Sequence, residues 1–545
     1  LVKRILAKVS RPIRNKLWPN TLPDLAYSEP LPPGPLGCPF RGLNPRESSP
    51  DFGPGVLFVR LYQKLQRPKI FKFFSKDRGI AIVSGYATSK AILSQEFDTI
   101  ASQMVPFTSK IVGTHSLRCL AEKKEHGTLR KLIGMAVQPP AVNQLIPNIQ
   151  QTAETLIDQA LQAPSWSTSS SNATTTINVE DLCLKYTLEI ACRHIVGLQD
   201  LPEEEVDYFL SQVKTWISAV YTGPRKKKEG SNNKEEDWVQ ARNYLVGKIE
   251  DKLAFLERNG PDSSTVSGMY FAQDPEDPNG RRLSKEEIID NTLLLILAGS
   301  ETSAGTLTNC LLLLGLSQQS AANNATRKNA WQELVQEQTR ILKEQKEKTS
   351  SSSISVGTLD RVSLDQCTYL DGVVRESLRL KPIIGGSMRG TKTTIVVDGY
   401  QIPAGWGITY DRYNTHLSDP VTFQDDLSHM NVIRGFDPTR WQPPSSDDNG
   451  EPRRPGQEWI PFGIGPRFCL GYDLAMVEMK IFLAVLARKM PDFELSSPVV
   501  QDLEWASDIQ WRERAIIPVP VDGVILRPVS NKKKVARKDQ EWTFE

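Results

Sequence analysis

One segment concentrates residues able to do chemistry: Trp459-Ile460-Pro461-Phe462-Gly463-Ile464-Gly465-Pro466-Arg467-Phe468-Cys469-Leu470-Gly471. Gly463, Gly465 and Gly471 around a single cysteine make a tight loop that feeds a helix, read from about Asp473 to Lys489. A thiolate at Cys469 would gain from backbone N–H groups and from the positive end of that helix, both of which lower a thiol pKa. Arg467 adds a cation two residues away. Unpaired cysteines are mostly small buried hydrophobes, which suits the other six of the seven. No paired Cys-x-x-Cys occurs, so neither the common zinc spacings nor a disulfide scaffold accounts for them. A thiolate held without zinc partners is a ligand for a haem iron.

A second segment offers proton chemistry. Ser284-Lys285-Glu286-Glu287 is a capping box that opens a proline-free pattern reaching about Gln318. Within it Leu293 to Leu297 leads into Ala298-Gly299-Ser300-Glu301-Thr302, and Leu311 to Leu316 follows. A membrane span over Thr292–Leu316 would strand Glu301 near the bilayer centre, which is costly. The reading adopted is a helix buried in protein and apolar on all sides. Ala298 and Gly299 leave a hollow on one face, and Thr302 can return its hydroxyl to the Ala298 carbonyl. An acid and an alcohol beside a hollow suit proton delivery into a dry pocket.

These segments need a scaffold. From Asp51 to Asp98 short apolar patches alternate with glycine, which reads as strand and turn. Helical patterning dominates from Ala121 to Phe271, and β and turn patterning follows Met388, as in Thr394-Ile395-Val396-Val397-Asp398-Gly399-Tyr400. Ser165–Thr176, Arg225–Asp237 and Lys343–Gly357 read as solvated polar insertions. Residues 1–29 form a basic segment whose Val2, Ile5, Leu6 and Val9 recur at helical spacing, a pattern suited to an anionic membrane surface. The chain opens at Leu1 rather than Met, as if its start were cut. A stiff proline-rich hinge, 30–37, separates this tip from residues 38–528, read as one catalytic domain, and 529–545 form a charged tail. The fold class expected is α+β, mainly α with a small β-rich lobe. Lys and Arg number 66 against 64 Asp and Glu, a balance that gives no support to nucleic acid as partner.

Phe462-x-x-Gly465-x-Arg467-x-Cys469-x-Gly471 resembles the haem-binding signature of the cytochrome P450 superfamily at every position, and the likeness extends from near Pro32 to about Ile525. The resemblance implies haem b with Cys469 as proximal iron ligand, and Phe462 and Gly463 in its cradle. Thiolate donation favours O–O cleavage. It makes the long helix the oxygen-binding helix, with Ala298 and Gly299 beside the haem, Thr302 hydrogen-bonding dioxygen and Glu301 feeding protons through water. Glu376-Ser377-Leu378-Arg379 is similar to the family's Glu-x-x-Arg, with Arg440 of Phe436-Asp437-Pro438-Thr439-Arg440-Trp441 as third partner. Phe is commoner in the family where this chain has Trp441. The haem propionates are assigned to Arg467, to Arg130 and His126 of His126-Gly127-Thr128-Leu129-Arg130, and to Arg389. His115, His194, His416 and His429 lack such context and are left as structural or exposed.

The function implied is a monooxygenase acting on an apolar substrate. Electrons would come from NADPH through a separate reductase or a ferredoxin, since no Gly-x-Gly-x-x-Gly occurs and the stretch after Cys469 is too short for a flavin domain. The His-x-x-x-Arg form and Gly385-Gly386 before Arg389 resemble the branch handling sterols, retinoids and other terpenoids, carotenoids included. Pocket walls are expected from Phe107 to Leu120, Leu294 to Thr302 and Ile383 to Met388. Location at a membrane follows, in the endoplasmic reticulum with the catalytic domain in the cytosol, or in a plastid or other organelle. The alternatives are a fatty-acid hydroxylase, a haem-thiolate isomerase that needs no external electrons, and a haem-binding sensor.

Overall fold

The long helix starts where its cap lies. The Ser284 hydroxyl accepts from the Glu287 N–H at 3.2 Å and the Glu287 carboxylate accepts from the Ser284 N–H at 2.9 Å. This reciprocal pair satisfies two otherwise orphaned donors. In this computed structural model the helix runs Lys285–Asn323, past the expected end at Gln318. Every residue from Ser303 to Leu316 is buried, so the helix is surrounded by protein there. Between Leu294 and Thr302 only one face is buried: Ile296 and Ser300, four apart, are covered, while Ala298 is exposed and Glu301 and Thr302 partly so. Among the described residues no helix is long and apolar enough to cross a membrane.

The structure describes residues 23–34, 48–49, 53–54, 56–74, 78–102, 108–162, 175–222, 234–349, 356–443, 456–498, 500–501, 503, 509–514 and 517–529. Outside them lie most of the basic segment, residues 35–37 of the hinge, most of the Ser165–Thr176 insertion, Phe107, and the tail from 530 onward.

Around the long helix pack Val179–Ile190, Thr368–Leu380 and the cysteine helix Tyr472–Lys489, which in turn lies against Pro139–Gln162. Their facing side chains form the larger apolar cluster. A smaller cluster, with Ile70, Val83, Trp406 and Ile408, belongs to a five-stranded sheet. Its strand order is Ile70–Phe74, Gly79–Val83, Gly407–Asp411, Gly386–Thr391, Ile100–Ser102; only the contact between Gly79–Val83 and Gly407–Asp411 is parallel. Gly79 is required here, because a Cβ would lie 2.3 Å from the Trp406 ring. The mainly helical body with a β-rich lobe is the fold class expected.

Two local expectations need correction. Strands do form within 51–98, but Val56–Lys64 and Tyr86–Leu93 are helices; short apolar runs do not separate the two periods. Two polar insertions are partly helical: Lys234 opens the helix Lys234–Asn259, and Lys343–Thr349 continue the helix Ala330–Thr349. Lys, Glu and Gln are good helix formers, and a polar run can be the solvated face of a helix. The hinge, non-helical where described, also has fixed contacts. Its Pro30 and Pro33 carbonyls accept from the N–H groups of Gln401 at 3.0 Å and Lys72 at 2.8 Å, which docks it on the β lobe.

Candidate active site

The cysteine loop turns because two glycines take conformations that other residues resist. Gly463 has φ 79° and Gly465 φ 74°, both left-handed. A Cβ at Gly463 would lie 3.2 Å from the Tyr410 hydroxyl and 3.4 Å from the Arg412 guanidinium. Gly471 differs: its φ is −88° and the space beside it is open, so it serves as the helix cap rather than as a turn residue. The loop closes where the Cys469 N–H donates to the Phe462 carbonyl at 3.0 Å, and the Phe462 ring packs edge-on to Tyr472 at 4.7 Å.

Burial pushes the Cys469 thiol up, against the opposing effects of the Gly471 N–H, Arg130 and Arg412. The sequence-based expectation was a lowered pKa. The helix end and the N–H are where they should be, but desolvation outweighs them. Metal coordination deprotonates a thiol outright, so burial does not bar a ligand role. The cations acting on Cys469 are Arg130 and Arg412, not the neighbouring Arg467, whose guanidinium is committed elsewhere.

Cys469 lines a cavity of about 520 Å³ together with Ala298, Gly299, Glu301 and Thr302 of the long helix. A Cβ built on Gly299 would meet nothing within 4 Å. The Thr302 hydroxyl donates to the Ala298 carbonyl at 2.6 Å, as its i, i+4 spacing suggested. All three expected walls contribute, through Leu117, Leu294 and the bulky pair Ile383 and Ile384 among others. Met388 does not: it is 40% exposed on the other side of its strand, while Ser387 and Arg389 face the cavity. Ile133, Ile195 and Val220 complete the lining from three further elements, and no local sequence signal marks them.

Basic groups converge at the rim. His126 and Arg130 are four apart on the helix Lys123–Met135 and both line the cavity. Burial, then Arg467 and Arg130, push His126 down to about 4, so it presents a neutral imidazole. Arg389 comes from the fourth strand of the sheet, paired in register with Ile408 on one side and Ser102 on the other. Arg412 was missed by sequence reasoning. It is buried, donating to the Ile384 carbonyl at 2.8 Å, the Tyr410 hydroxyl at 3.1 Å and the Ile460 carbonyl at 3.2 Å. Glu96 was missed too. Arg467 Nε donates to its Oε1 at 2.8 Å, and Arg389 Nε to its Oε2. Both arginines therefore already hold one carboxylate. Glu478, on the cysteine helix, is a third omission; burial pushes its carboxyl up to about 8, with the Ser303 hydroxyl as polar neighbour.

Behind the site Glu376 is fully buried. Arg379 grips it in two-pronged fashion, Nη2 to Oε1 at 2.8 Å and Nε to Oε2 at 2.9 Å. Arg440 reaches it at 3.4 Å, the expected third partner. Trp441 reaches it at 2.9 Å through its indole N–H, a hydrogen bond that phenylalanine could not make. Burial would raise the Glu376 pKa, but Arg379, Arg440 and Trp441 hold it below the ordinary value. His416 links this cluster to the cysteine segment: Nδ1 lies 3.0 Å from the Arg379 carbonyl and Nε2 accepts from the Ile460 N–H at 3.0 Å. His416, His429 and His194 are buried and His115 is exposed, which suits their reading as structural or exposed residues.

A thiol, several cations and a stretch of helix with open space at Gly299 share this cavity, a donor set suited to an iron porphyrin with two carboxylates. The residues fit that group, and with the helical body they define the haem-thiolate class of oxidoreductases. The family model described as Cytochrome P450 matches residues 32–503, and this chain belongs to that family. Cytochrome P450 26A1 of Gallus gallus is 26% identical over 470 residues, 84% of this chain and 84% of that protein. Cytochrome P450 26B1 of Homo sapiens is 26% identical over 539 residues, covering 96% and 91%. Putative cytochrome P450 120 of Synechocystis is 26% identical over 471 residues, covering 86% and 92%. Among solved structures, a retinoic acid bound cyanobacterial CYP120A1 covers 92% of this chain and 100% of its own at TM-score 0.69 and 24% identity, a likeness of fold. The chain is thus a haem b monooxygenase for an apolar substrate, with electrons from NAD(P)H through a redox partner.

Proposed function

We propose that this protein hydroxylates or epoxidises a terpenoid-derived substrate, a retinoid, sterol or carotenoid, with electrons from a separate NADPH-dependent reductase or a ferredoxin. The observation that carries the reading is the cavity in which Ile383, Ile384, Leu294 and Leu117 face the space between Cys469 and Thr302. One of the similar solved structures is described as retinoic acid bound, which supports a retinoid. Residues 38–528 act as one catalytic unit, and the basic segment before the hinge rests on a membrane surface, in the endoplasmic reticulum or in an organelle such as a plastid.

Each residue has a role that its placement supports. Cys469 ligates the iron, and Phe462, Gly463, Gly465 and Gly471 shape its loop. Arg130, His126, Arg389 and Arg467 meet the propionates, with Arg412 beneath them. Haem supplies the dioxygen chemistry when bound. Ala298 and Gly299 let it and the substrate approach the helix backbone. The Thr302 hydroxyl donates to Ala298, so it turns its lone pairs to the cavity and holds a donor there, such as a water carrying a proton from Glu301.

The test begins with the carbon monoxide difference spectrum of the dithionite-reduced protein. A Soret band at the thiolate position that disappears in Cys469→Ala is expected; its absence from folded protein would sink the reading. Retinoic acid, a sterol and laurate would then be compared by spin-state titration and by turnover with a reductase or ferredoxin. Retinoid or sterol turnover is expected. Turnover of laurate alone would make the protein a fatty-acid hydroxylase, and product formed without any electron donor would make it an isomerase.

A further inference from the structure

Phe97 holds φ at 80°, in the left-handed region where bulky side chains are rare. Such backbone survives only where its surroundings impose it, and it gathers at functional sites. The turn that imposes it is short. Glu96 N–H donates to the Leu93 carbonyl at 3.1 Å, Phe97 N–H to the Ile100 carbonyl at 2.9 Å, and Glu96 bridges to Ile100.

The two side chains of this turn touch three of the four residues assigned to the propionates. Glu96, 2% exposed, accepts from Arg467 Nε at 2.8 Å through one oxygen and from Arg389 Nε through the other. The Phe97 ring lies between the Arg467 guanidinium, 4.9 Å from its centroid, and the His126 ring at 5.0 Å. Arg467 comes from the cysteine loop, Arg389 from the sheet and His126 from a helix, so this dipeptide joins groups from three separate elements. Two adjacent guanidiniums repel, and a carboxylate between them cancels one charge. By taking both Nε groups it also fixes the planes of both forks. Arg467 spends one Nη hydrogen each on the Leu117 and Leu120 carbonyls, at 3.4 and 2.7 Å, and Arg389 one on the Met388 carbonyl at 3.0 Å, so the second hydrogens of these groups are what a propionate would meet. A relaxed backbone at Phe97 would withdraw carboxylate and ring together.

We propose that the Glu96–Phe97 turn is a positioning element that presets the aim and the net charge of the propionate-binding arginines, and so sets haem retention and iron reduction potential. This rests on the propionate assignment made above. Carboxylates belonging to the turn and to the cofactor share the same two cations, so the turn lowers the local positive charge by one unit. A less positive surrounding favours the oxidised iron.

The test compares Glu96→Gln, Glu96→Asp, Phe97→Gly, Arg389→Gln and Arg467→Gln in the haem-loaded protein. Readouts are the midpoint potential by spectroelectrochemistry and the rate of haem transfer to apomyoglobin. Glu96→Gln removes the charge, and a shift to more positive potential is expected. Glu96→Asp keeps the charge but is too short to span both arginines; the potential should stay near that of the parent while haem leaves about tenfold faster, the scale seen when outer-shell partners are lost. Phe97→Gly removes the wedge at a position whose left-handed φ glycine accepts, and faster haem loss from the folded protein is expected; it serves if the Glu96 variants do not fold. Parent-like potential in Glu96→Gln together with parent-like transfer in Glu96→Asp and Phe97→Gly would overturn the proposal. If both arginine variants also kept parental transfer rates, the propionate assignment itself would fall; if they lost haem while the turn variants did not, the turn alone would be at fault.

Discussion

At the scale of single residues, Glu478 is an acid held in an unusual state. Glu478 is 4% exposed, and its carboxyl is pushed from 4.5 up to about 8 by burial. A pKa raised in the folded protein contributes stability below the unfolded value that is lost as pH rises through the folded one. The window is therefore pH 4.5 to about 8. Glu478→Gln should melt progressively higher relative to the parent across that range, a gain on the order of 4 kcal/mol by pH 8. Thermal melts of the haem-loaded protein at pH 5, 6.5 and 8 would check this, and parallel curves would mean that Glu478 is ionised in the fold. Cys469 shows the opposite lesson. Its loop, glycines and helix were legible as a string, but the direction of its pKa was not, because desolvation depends on what the rest of the chain stacks over it.

Among elements, the helix Thr368–Leu380 and the short turn Pro438–Trp441 are joined through Glu376. The Glu-x-x-Arg spacing announces the first pair, since residues three apart meet on a helix. It does not announce that the carboxylate also takes the Trp441 indole and the Asp437 N–H, the latter at 3.2 Å. Trp441 departs from the commoner phenylalanine, and the structure supplies the reason. Trp441→Phe should lose about 1.5–3 kcal/mol, the range for a hydrogen bond to a charged group, as read by denaturant unfolding. Glu376→Gln should lose more, about 3–5 kcal/mol, because Arg379 would keep its charge in a fully buried place. Equal losses in the two variants would show that the ion pair carries no more than the indole bond.

For the whole molecule, the chain ahead of the catalytic body is strapped to the β lobe chiefly through Gln401. Gln401 Oε1 accepts from the Asp24 N–H at 2.7 Å, Gln401 Nε2 donates to the Glu29 carbonyl, and its own N–H to Pro30 at 3.0 Å. Thr394 adds a bond to Asp24 at 2.6 Å. Gln401→Ala should raise hydrogen exchange across residues 23–34 with haem content unchanged; unchanged exchange would show that Thr394 and Lys72 suffice. Sequence alone determined the elements whose signals are local: the capped long helix, the glycine-turned cysteine loop, the acid–alcohol pair and the paired charges three residues apart. Each rests on spacing within one element. Only tertiary structure decided that Glu96 would sit between Arg389 and Arg467, that Arg412 would lie under Gly463, and that Ile133, Ile195 and Val220 would close the cavity. Those contacts join residues far apart in sequence, and burial and charge act through space, which no local pattern records.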